Sequence, residues 1–152
     1  MTRRPLWRIL EPVIRAGETY ALPRDLGREA ALAYWAGPDR ASFVAEADGR
    51  VLGTYYLRAN QLGGGGHVAN CGYMTAAEAT GRGIARAMCA HSLVEAQARG
   101  FRAMQFNLVV GTNQRAVRLW QALGFAIVGT LPGAFQHPTQ GEVDALVMFK
   151  TL

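Results

Sequence analysis

The stretch that decides the fold is residues 70–99, which reads NCGYMTAAEATGRGIARAMCAHSLVEAQAR. It starts inside an apolar strand pattern, 68–74, crosses a short loop of small residues, and continues as a helix from about Arg82 to Arg99. Gly81 and Gly83 stand where that helix begins, so no side chain shields the amides of its first turn. Because those amides lie at the positive end of the helix dipole, the stretch predicts an anion site, with phosphate the usual anion.

Three kinds of glycine loop bind phosphate in this way, and two of them do not fit. A dinucleotide-binding loop needs a third glycine where Arg86 stands and an acidic residue about twenty positions further on, where residues 101–103 read FRA. A nucleoside-triphosphate loop needs Gly-Lys-Ser/Thr, which the chain does not contain. The third is the pyrophosphate loop of the GNAT acetyltransferases, Arg/Gln-x-x-Gly-x-Gly/Ala. The chain resembles it with Gly83 fourth, Ala85 last and Thr80 in place of Arg/Gln; an ordinary strand-to-helix turn is the alternative.

Composition limits the functions that need to be considered. The chain has 152 residues, a net charge of +5, and sixteen basic residues, of which only Lys150 is a lysine. The arginines form no stripe, which argues against nucleic acid as a partner. Cys71 and Cys89 lie in apolar patterns and are expected to be reduced core residues. Neither a signal peptide nor a membrane-length apolar run is present, so we expect one cytoplasmic domain over 1–152, with no membrane partner.

The remaining patterns predict short alternating elements. Pro12 is expected to bend or split the first helix, and Asp48-Gly49 to form the turn of a hairpin. Strand, helix, strand, helix, strand in the second half implies a parallel crossover beside hairpins. The predicted helices cover 6–16, 28–35, 82–99 and 113–123, and the predicted strands cover 42–47, 51–59, 68–74, 103–110, 126–131 and 143–149, the last two flanking a turn-rich insert. The predicted buried face of the third helix consists of Ile84, Ala87, Met88, His91, Val94 and Ala98.

A second motif strengthens the resemblance to the GNAT family. Residues 113–125 read NQRAVRLWQALGF, which closely matches the family signature Asn-x-x-Ala-x-x-Leu-Tyr-x-x-x-Gly-Phe about thirty residues after the glycine loop. The resemblance implies an α/β (α+β) fold with a mixed, mostly antiparallel sheet of six to seven strands. It further implies a central parallel strand pair that splays apart, helices on both faces, and a first strand that is short or absent.

By the same resemblance, the chain is an acetyl-CoA-dependent N-acetyltransferase. Its acceptor is the amine of a small molecule, which attacks the thioester directly in a ternary complex. Trp120 stands where the family often has the tyrosine that protonates the departing thiolate, and an indole cannot supply that proton near neutral pH. The coenzyme-binding residues implied by the resemblance are Cys71, Gly72, Tyr73, Met74, Gly81, Arg82, Gly83, Ile84, Ala85, Arg86, Asn113 and Trp120.

Three asparagines are the candidates for catalytic roles: Asn70, Asn107 and Asn113. Their placement resembles a GNAT branch that acetylates proline analogues, which implies an amino acid or its analogue as one candidate acceptor. An amide can donate to a carboxylate or an oxyanion and accept from an amine without titrating. The alternatives are that Asn113 is a plain helix cap and that Asn70 and Asn107 pair with strand backbone.

The general base stays open, because several residues are candidates and a proton relayed through solvent, with the amine arriving neutral, is a further alternative. A zinc site built from His67, Cys71, Cys89 and His91 fits no closed motif, so we expect no metal. A non-catalytic acyl-CoA-binding domain is the alternative function, and exposed sheet edges allow a homodimer. The candidate bases are Tyr20, His67, Tyr73, Glu78, Glu142 and Asp144.

Overall fold

A computed structural model describes residues 3–152, and a six-stranded sheet lies at its centre. The strand order across the sheet is β1-β2-β3-β4-β6-β5. The strands are β1 (Ala41–Ala47), β2 (Arg50–Ala59), β3 (Val68–Thr75), β4 (Ala103–Val110), β5 (Ala126–His137) and β6 (Gly141–Thr151). The helices are α1 (Arg3–Ala16), α2 (Arg28–Trp35), α3 (Ile84–Ala98) and α4 (Gln114–Ala122).

Only the central pair of this sheet is parallel. The hairpins β1–β2, β2–β3 and β5–β6, and the pair β4–β6, are antiparallel, whereas β3 and β4 run parallel and are joined by α3. The predicted fold class, a mixed and mostly antiparallel sheet with a central parallel strand pair, is therefore confirmed.

The helices cover both faces of the sheet, because alternate residues of a strand point to opposite sides. Tyr55 of β2 packs in a core with α3 and α4, and its neighbour Tyr56 packs in a second core with α1 and α2. On β3, Cys71 belongs to the first core and Met74 to the second. The sheet thus separates an α3/α4 side from an α1/α2 side, and a ligand that passes between two strands can reach both.

Local signals fixed the ends of the elements as expected. Gly100 (φ +90°) and Gly124 (φ +100°) take the left-handed conformation that ends α3 and α4. In each case the next residue, Phe101 or Phe125, donates its amide back to the last turn at 3.0 Å. Asp48-Gly49 forms the predicted hairpin turn with φ of +54° and +75°.

Three details differ from the expectations. Helix α1 continues through Pro12, so of the two expectations for that residue, a bend or a split, the split is wrong. The predicted insert between the last strands is mostly strand, because Pro132, which has no amide to donate, sits in an irregularity of the β5–β6 ladder instead of ending it. The buried face of α3 is also shifted: Val94 is 68% exposed. Its place in the core is taken by Ser92, which is fully buried.

The structure adds two facts about the surface. No helix within residues 3–152 is long and apolar enough to span a membrane. Strand β5 lies at an edge of the sheet, and Ile127, Val128 and Leu131 on it are 41%, 61% and 43% exposed. The homodimer stays a prediction.

Candidate functional site

Strands β3 and β4 separate soon after they begin. Within the described residues they share two register pairs, Val68 with Ala103 and Ala69 with Met104, although each strand continues for six more residues. On its other side, β4 has an irregularity between Phe106 and Val109, which bends it away from the regular ladder. The predicted splayed pair is therefore present, and it leaves strand backbone free to face a ligand.

Asn70 lies at the point where the two strands part. It is 5% exposed, and its Nδ2 donates to the carbonyl of Gln105 across the gap at 3.0 Å. Its Oδ1 accepts from Nε of Arg58 on the neighbouring strand at 3.3 Å. A side-chain amide thus takes the place of the next backbone hydrogen bond between β3 and β4. This is the alternative that the sequence left open for Asn70, namely pairing with strand backbone.

A cavity of about 800 Å³ runs along this gap, from the N-terminus of α3 to the α1/α2 side of the sheet. All three predicted asparagines line it, and so do all the predicted coenzyme-binding residues except Met74 and Arg82. The side chain of Met74 packs in the α1/α2 core. The amide of Arg82 donates to the carbonyl of Ala79 at 3.2 Å, so it has a partner within the protein.

The glycine loop closes one end of the cavity. Gly81 (φ +83°) and Gly83 (φ +79°) both take left-handed conformations, and Gly83 directly precedes α3. No side chain caps the first turn of α3, and no acidic residue lies in that turn. The amides of residues 84–86 therefore have no acceptor within the helix and lie beside the cavity, as expected for an anion site.

Helix α4 supplies another wall on this side. Asn113 caps α4 by accepting from the amide of Ala116 at 3.4 Å, which confirms that it is a helix cap. Trp120 is 8% exposed, and its ring centroid lies 5.1 Å from that of Tyr73 and 5.2 Å from that of Phe106. The indole thus packs into an aromatic cluster where strand β3 and strand β4 diverge.

Asn107 lies in the irregular part of β4, and it is exposed to the cavity. Its Nδ2 donates to Oδ1 of Asn60 at 2.6 Å, and its Oδ1 accepts from Nε2 of Gln105 at 2.9 Å. Both partners are side chains and not strand backbone, so the alternative of strand pairing is not what the structure shows for Asn107. The amide keeps one donor and one acceptor lone pair for a ligand.

The wall on the α1/α2 side was largely missed by sequence reasoning. It is formed by Tyr20, which the sequence named only as a candidate base, together with Tyr34, Tyr56 and Arg58. The hydroxyl of Tyr20 donates to the carbonyl of Tyr73 at 3.0 Å, which ties the loop after α1 to β3. Aromatic residues in separate strands and helices carry no local pattern, so no signal in the sequence would have grouped them.

The ionisable groups of the cavity include no ordinary base. Its described lining contains no Asp, Glu or His, so His67, Glu78, Glu142 and Asp144 lie outside it. Burial raises the pKa of Tyr20 and of Tyr73 well above the usual tyrosine value, and it raises the pKa of Cys71 to about 12. These groups stay protonated near neutral pH.

Within residues 3–152, no three His, Cys, Asp or Glu side chains lie close enough together to hold a metal ion. The two cysteines are both free and buried, as expected of core residues.

The thiols should be inert in the native protein. Burial raises the pKa of Cys71 to about 12 and that of Cys89 to about 11, so the thiolate fraction at pH 8 is about one thousandth or less. We expect a disulfide reagent to label neither residue in native protein at pH 8 and to label both in denaturant, as counted by intact-mass measurement. Fast labelling of one thiol in the native state would contradict this burial.

The chain matches the model of the family described as Acetyltransferase (GNAT) family over residues 7–125. Among curated proteins it is 32% identical over 111 residues to N-acetyltransferase aca1 of Schizosaccharomyces pombe. That match covers 72% of this chain and 53% of the fission yeast protein, so the chain spans about half the length of the curated relative it matches.

Two solved structures show the same fold. A GCN5-related N-acetyltransferase from Kribbella flavida is 44% identical, with a TM-score of 0.92 over 99% of this chain and 92% of that one. A phosphinothricin acetyltransferase from Sinorhizobium meliloti, solved in complex with AcCoA, is 22% identical, with a TM-score of 0.85 over 99% of this chain and 83% of that one. At that identity, the second structure bears on the fold alone.

Proposed function

The chain belongs to the acetyltransferase (GNAT) family, and from that membership we propose that it transfers an acetyl group from acetyl-CoA to the amine of a small molecule. The match confirms the predicted family. The enzyme class of that family is the N-acetyltransferases, and its cosubstrate is acetyl-CoA. The acceptor, the mechanism and the site residues of this chain are proposals, and so is the treatment of residues 1–152 as one cytoplasmic domain.

The observation that carries the proposal is the strand gap closed by uncapped amides. A diphosphate needs several convergent donors, and the first turn of α3 offers them beside Gly81 and Gly83. Arg86, Arg115 and Arg118 line the same part of the cavity and supply positive charge. We assign this end to the coenzyme's phosphates, and we leave Met74 and Arg82 out of that assignment.

The gap itself is assigned to the pantetheine arm and the thioester. When bound, the thioester supplies an activated acetyl carbon to which an amine can add while the C–S bond breaks. Beyond Ala69 the β4 side of β3 has no ladder partner, so the backbone of Cys71 and the amide of Tyr73 face the gap and are available to hydrogen bond with the arm, whereas the carbonyl of Tyr73 already accepts from Tyr20. Asn107, in the irregular part of β4, is the side chain we assign to the reacting carbonyl oxygen as that oxygen gains negative charge.

Proton transfer in this cavity relies on solvent. Among the described residues no carboxylate or imidazole lines it, and burial raises the pKa of Tyr20 and of Tyr73 well above the usual tyrosine value. The ammonium proton of the acceptor therefore passes to water, and the amine attacks in its neutral form. The indole of Trp120 can donate one hydrogen bond to a departing thiolate but no proton, so the thiolate leaves as an anion, and the proton that the attacking nitrogen loses on forming the amide also passes to water.

The pH dependence of kcat/KM should therefore be set by the ionisation of the acceptor's amine. We expect kcat/KM to rise about tenfold per pH unit up to the pKa of the acceptor's ammonium and then to level off. A second acceptor whose ammonium pKa is two units lower should move the rising limb down by about two units. If kcat/KM instead rises near pH 6–7 for every acceptor, the titrating group is a base that the protein contributes.

The function is tested by incubating the protein with acetyl-CoA and a panel of small amines, including amino acids and their analogues. Release of the free thiol is followed, and the acetylated product is identified by mass spectrometry. Turnover supports the proposal. Coenzyme binding without turnover on any amine would favour a non-catalytic acyl-CoA-binding domain, which the absence of a hydroxyl at Trp120 permits. Absence of coenzyme binding would reject both functions.

A further inference from the structure

The cavity is lined by four arginines, and its described lining contains no carboxylate. Three of the arginines, Arg86, Arg115 and Arg118, belong to α3 and α4 at the coenzyme end. The guanidinium of Arg115 lies 3.4 Å from the point where a Cβ on Gly81 would be, which locates it at the glycine loop. The proposed function assigns these three arginines to the phosphates of the coenzyme, whereas it gives Arg58 no role.

Arg58 lies far from the phosphate end. It is on β2, where its register partner on β3 is Asn70. From Asn70 to Thr75, where β3 ends before the glycine loop, the strand continues for five residues, which is about 16 Å. Arg58 is therefore at the level where β3 and β4 part, on the α1/α2 side of the sheet, where an acceptor would meet the thioester.

The guanidinium of Arg58 is held in place but is not neutralised. Its Nε donates to Oδ1 of Asn70 at 3.3 Å, and its guanidinium lies 5.8 Å from the ring centroid of Tyr56. The only carboxylate near it among the described residues is Asp39, whose Oδ2 is 3.9 Å from Nη1 of Arg58. The side chain of Arg58 is 27% exposed, so most of the side chain is withdrawn from water.

Asp39 is committed to another arginine. Arg40 donates to it from Nε at 2.9 Å and from Nη2 at 3.2 Å, and these hydrogen bonds hold the pKa of Asp39 below its ordinary value. The Arg40 guanidinium lies against the rings of Tyr34 and Tyr56, at 4.8 and 4.7 Å, with its side chain 7% exposed. Its Nη1 is buried and finds no hydrogen-bond partner within residues 3–152. Two guanidiniums therefore share one carboxylate, and this end of the cavity has an uncompensated positive charge.

We propose that the acceptor carries a carboxylate and that Arg58 binds it, which makes Arg58 the residue that selects acidic acceptors. This inference rests on the proposed acetyltransferase function. A guanidinium can bind a carboxylate with two parallel hydrogen bonds, and a partly buried one gains more from doing so than a solvated one. A diamine or a polyamine finds no carboxylate in the described lining of this cavity to receive its second ammonium, so the substrate class that we propose is that of small amino acids.

The test uses matched sets of acceptors that differ in the carboxylate alone: an amino acid, its carboxamide and its decarboxylated amine. In the unmodified protein we expect kcat/KM for the acid to exceed that for the other two at least about 100-fold, because a site built for a polar group rejects an analogue that lacks it. Arg58→Gln should reduce this preference below about tenfold, mainly through the KM of the acid, while the Kd for acetyl-CoA stays unchanged.

Arg102→Gln is the matched control, because Arg102 is exposed, lies outside the cavity and changes the net charge equally. It should keep the full preference. Equal use of acid, amide and amine by the unmodified protein, or an undiminished preference in Arg58→Gln, would overturn the inference and leave the acetyltransferase function standing. If no acceptor turns over, calorimetry with the amino acids and the acetyl-CoA-loaded protein decides the inference. Binding that depends on Arg58 supports it, and no binding overturns it.

Discussion

Gly83→Val should abolish coenzyme binding and leave the protein folded. Gly83 has φ +79°, it lines the cavity, and no heavy atom beyond Gly83 and its two neighbours in the chain lies within 4 Å of the point where its Cβ would be. The isopropyl group would therefore project beside the first-turn amides of α3 that we assign to the diphosphate. Loss of two charge-assisted hydrogen bonds corresponds to a rise in Kd of about 100-fold or more, measured by titration calorimetry with acetyl-CoA.

Gly49→Val separates this effect from backbone strain. Gly49 has φ +75°, and its Cβ would also meet open space, but it lies in the β1–β2 turn and outside the cavity. Both variants should lose about 1–2 kcal/mol of unfolding free energy, because valine is strained in the left-handed conformation. The Gly49 variant should bind acetyl-CoA normally. Normal binding by the Gly83 variant would refute the assignment of this loop to the coenzyme.

The coenzyme end could be predicted from the sequence because its signals are local. Glycines that open α3 and an asparagine that caps α4 act on their own or adjacent turns, and a few consecutive residues are enough to specify them. Spacing along the chain then related the two motifs, because a strand joins one helix to the next. The splayed strand pair could be predicted as well, because the two motifs resemble those of a family whose central strands splay apart.

The acceptor end could not be predicted in the same way. Tyr20, Tyr34 and Arg58 come from a loop, a helix and a strand, and they meet because those elements pack on one face of the sheet. The same limit explains the error on α3. Hydrophobicity placed Val94 in the core, whereas the structure buries Ser92, whose hydroxyl bonds to Tyr73 at 2.6 Å and to the carbonyl of Cys89 at 2.7 Å. A polar group can be buried where it finds hydrogen-bond partners, and one partner of Ser92, Tyr73, lies on another element, 19 residues away in the sequence.

Asn70 connects the two ends. The sequence left open whether it contacts substrate or pairs with strand backbone, and the structure shows that it pairs with the carbonyl of Gln105 while also holding Arg58. A role at the substrate stays a prediction. Because the same amide spans the strand gap and orients the guanidinium, the opening for the thioester and the proposed carboxylate site are set by one side chain.

Trp35→Ala should produce the largest loss of stability. Trp35 is fully buried in the α1/α2 core, and its Nε1 donates to Oγ1 of Thr54 at 2.9 Å. Its ring meets Tyr20 and Tyr56 edge-on, with centroids 5.9 and 4.9 Å away. Removing a buried tryptophan costs about 3–5 kcal/mol, which is a large part of the stability of a typical domain. Denaturant unfolding measures this loss.

The same change should affect the acceptor more than the coenzyme. Tyr20 and Tyr56 line the cavity and rest directly on the ring of Trp35, so the acceptor's KM should rise while the Kd for acetyl-CoA stays within about twofold, because the aromatic contacts of Trp35 are with these two tyrosines. Trp7→Ala is the control: it removes the same side chain from a half-buried position on α1 and should cost only about 1–2 kcal/mol. Equal losses in the two variants would contradict the packing role of Trp35. An unchanged KM in a folded Trp35 variant would mean that these tyrosines do not form the wall against which the acceptor binds.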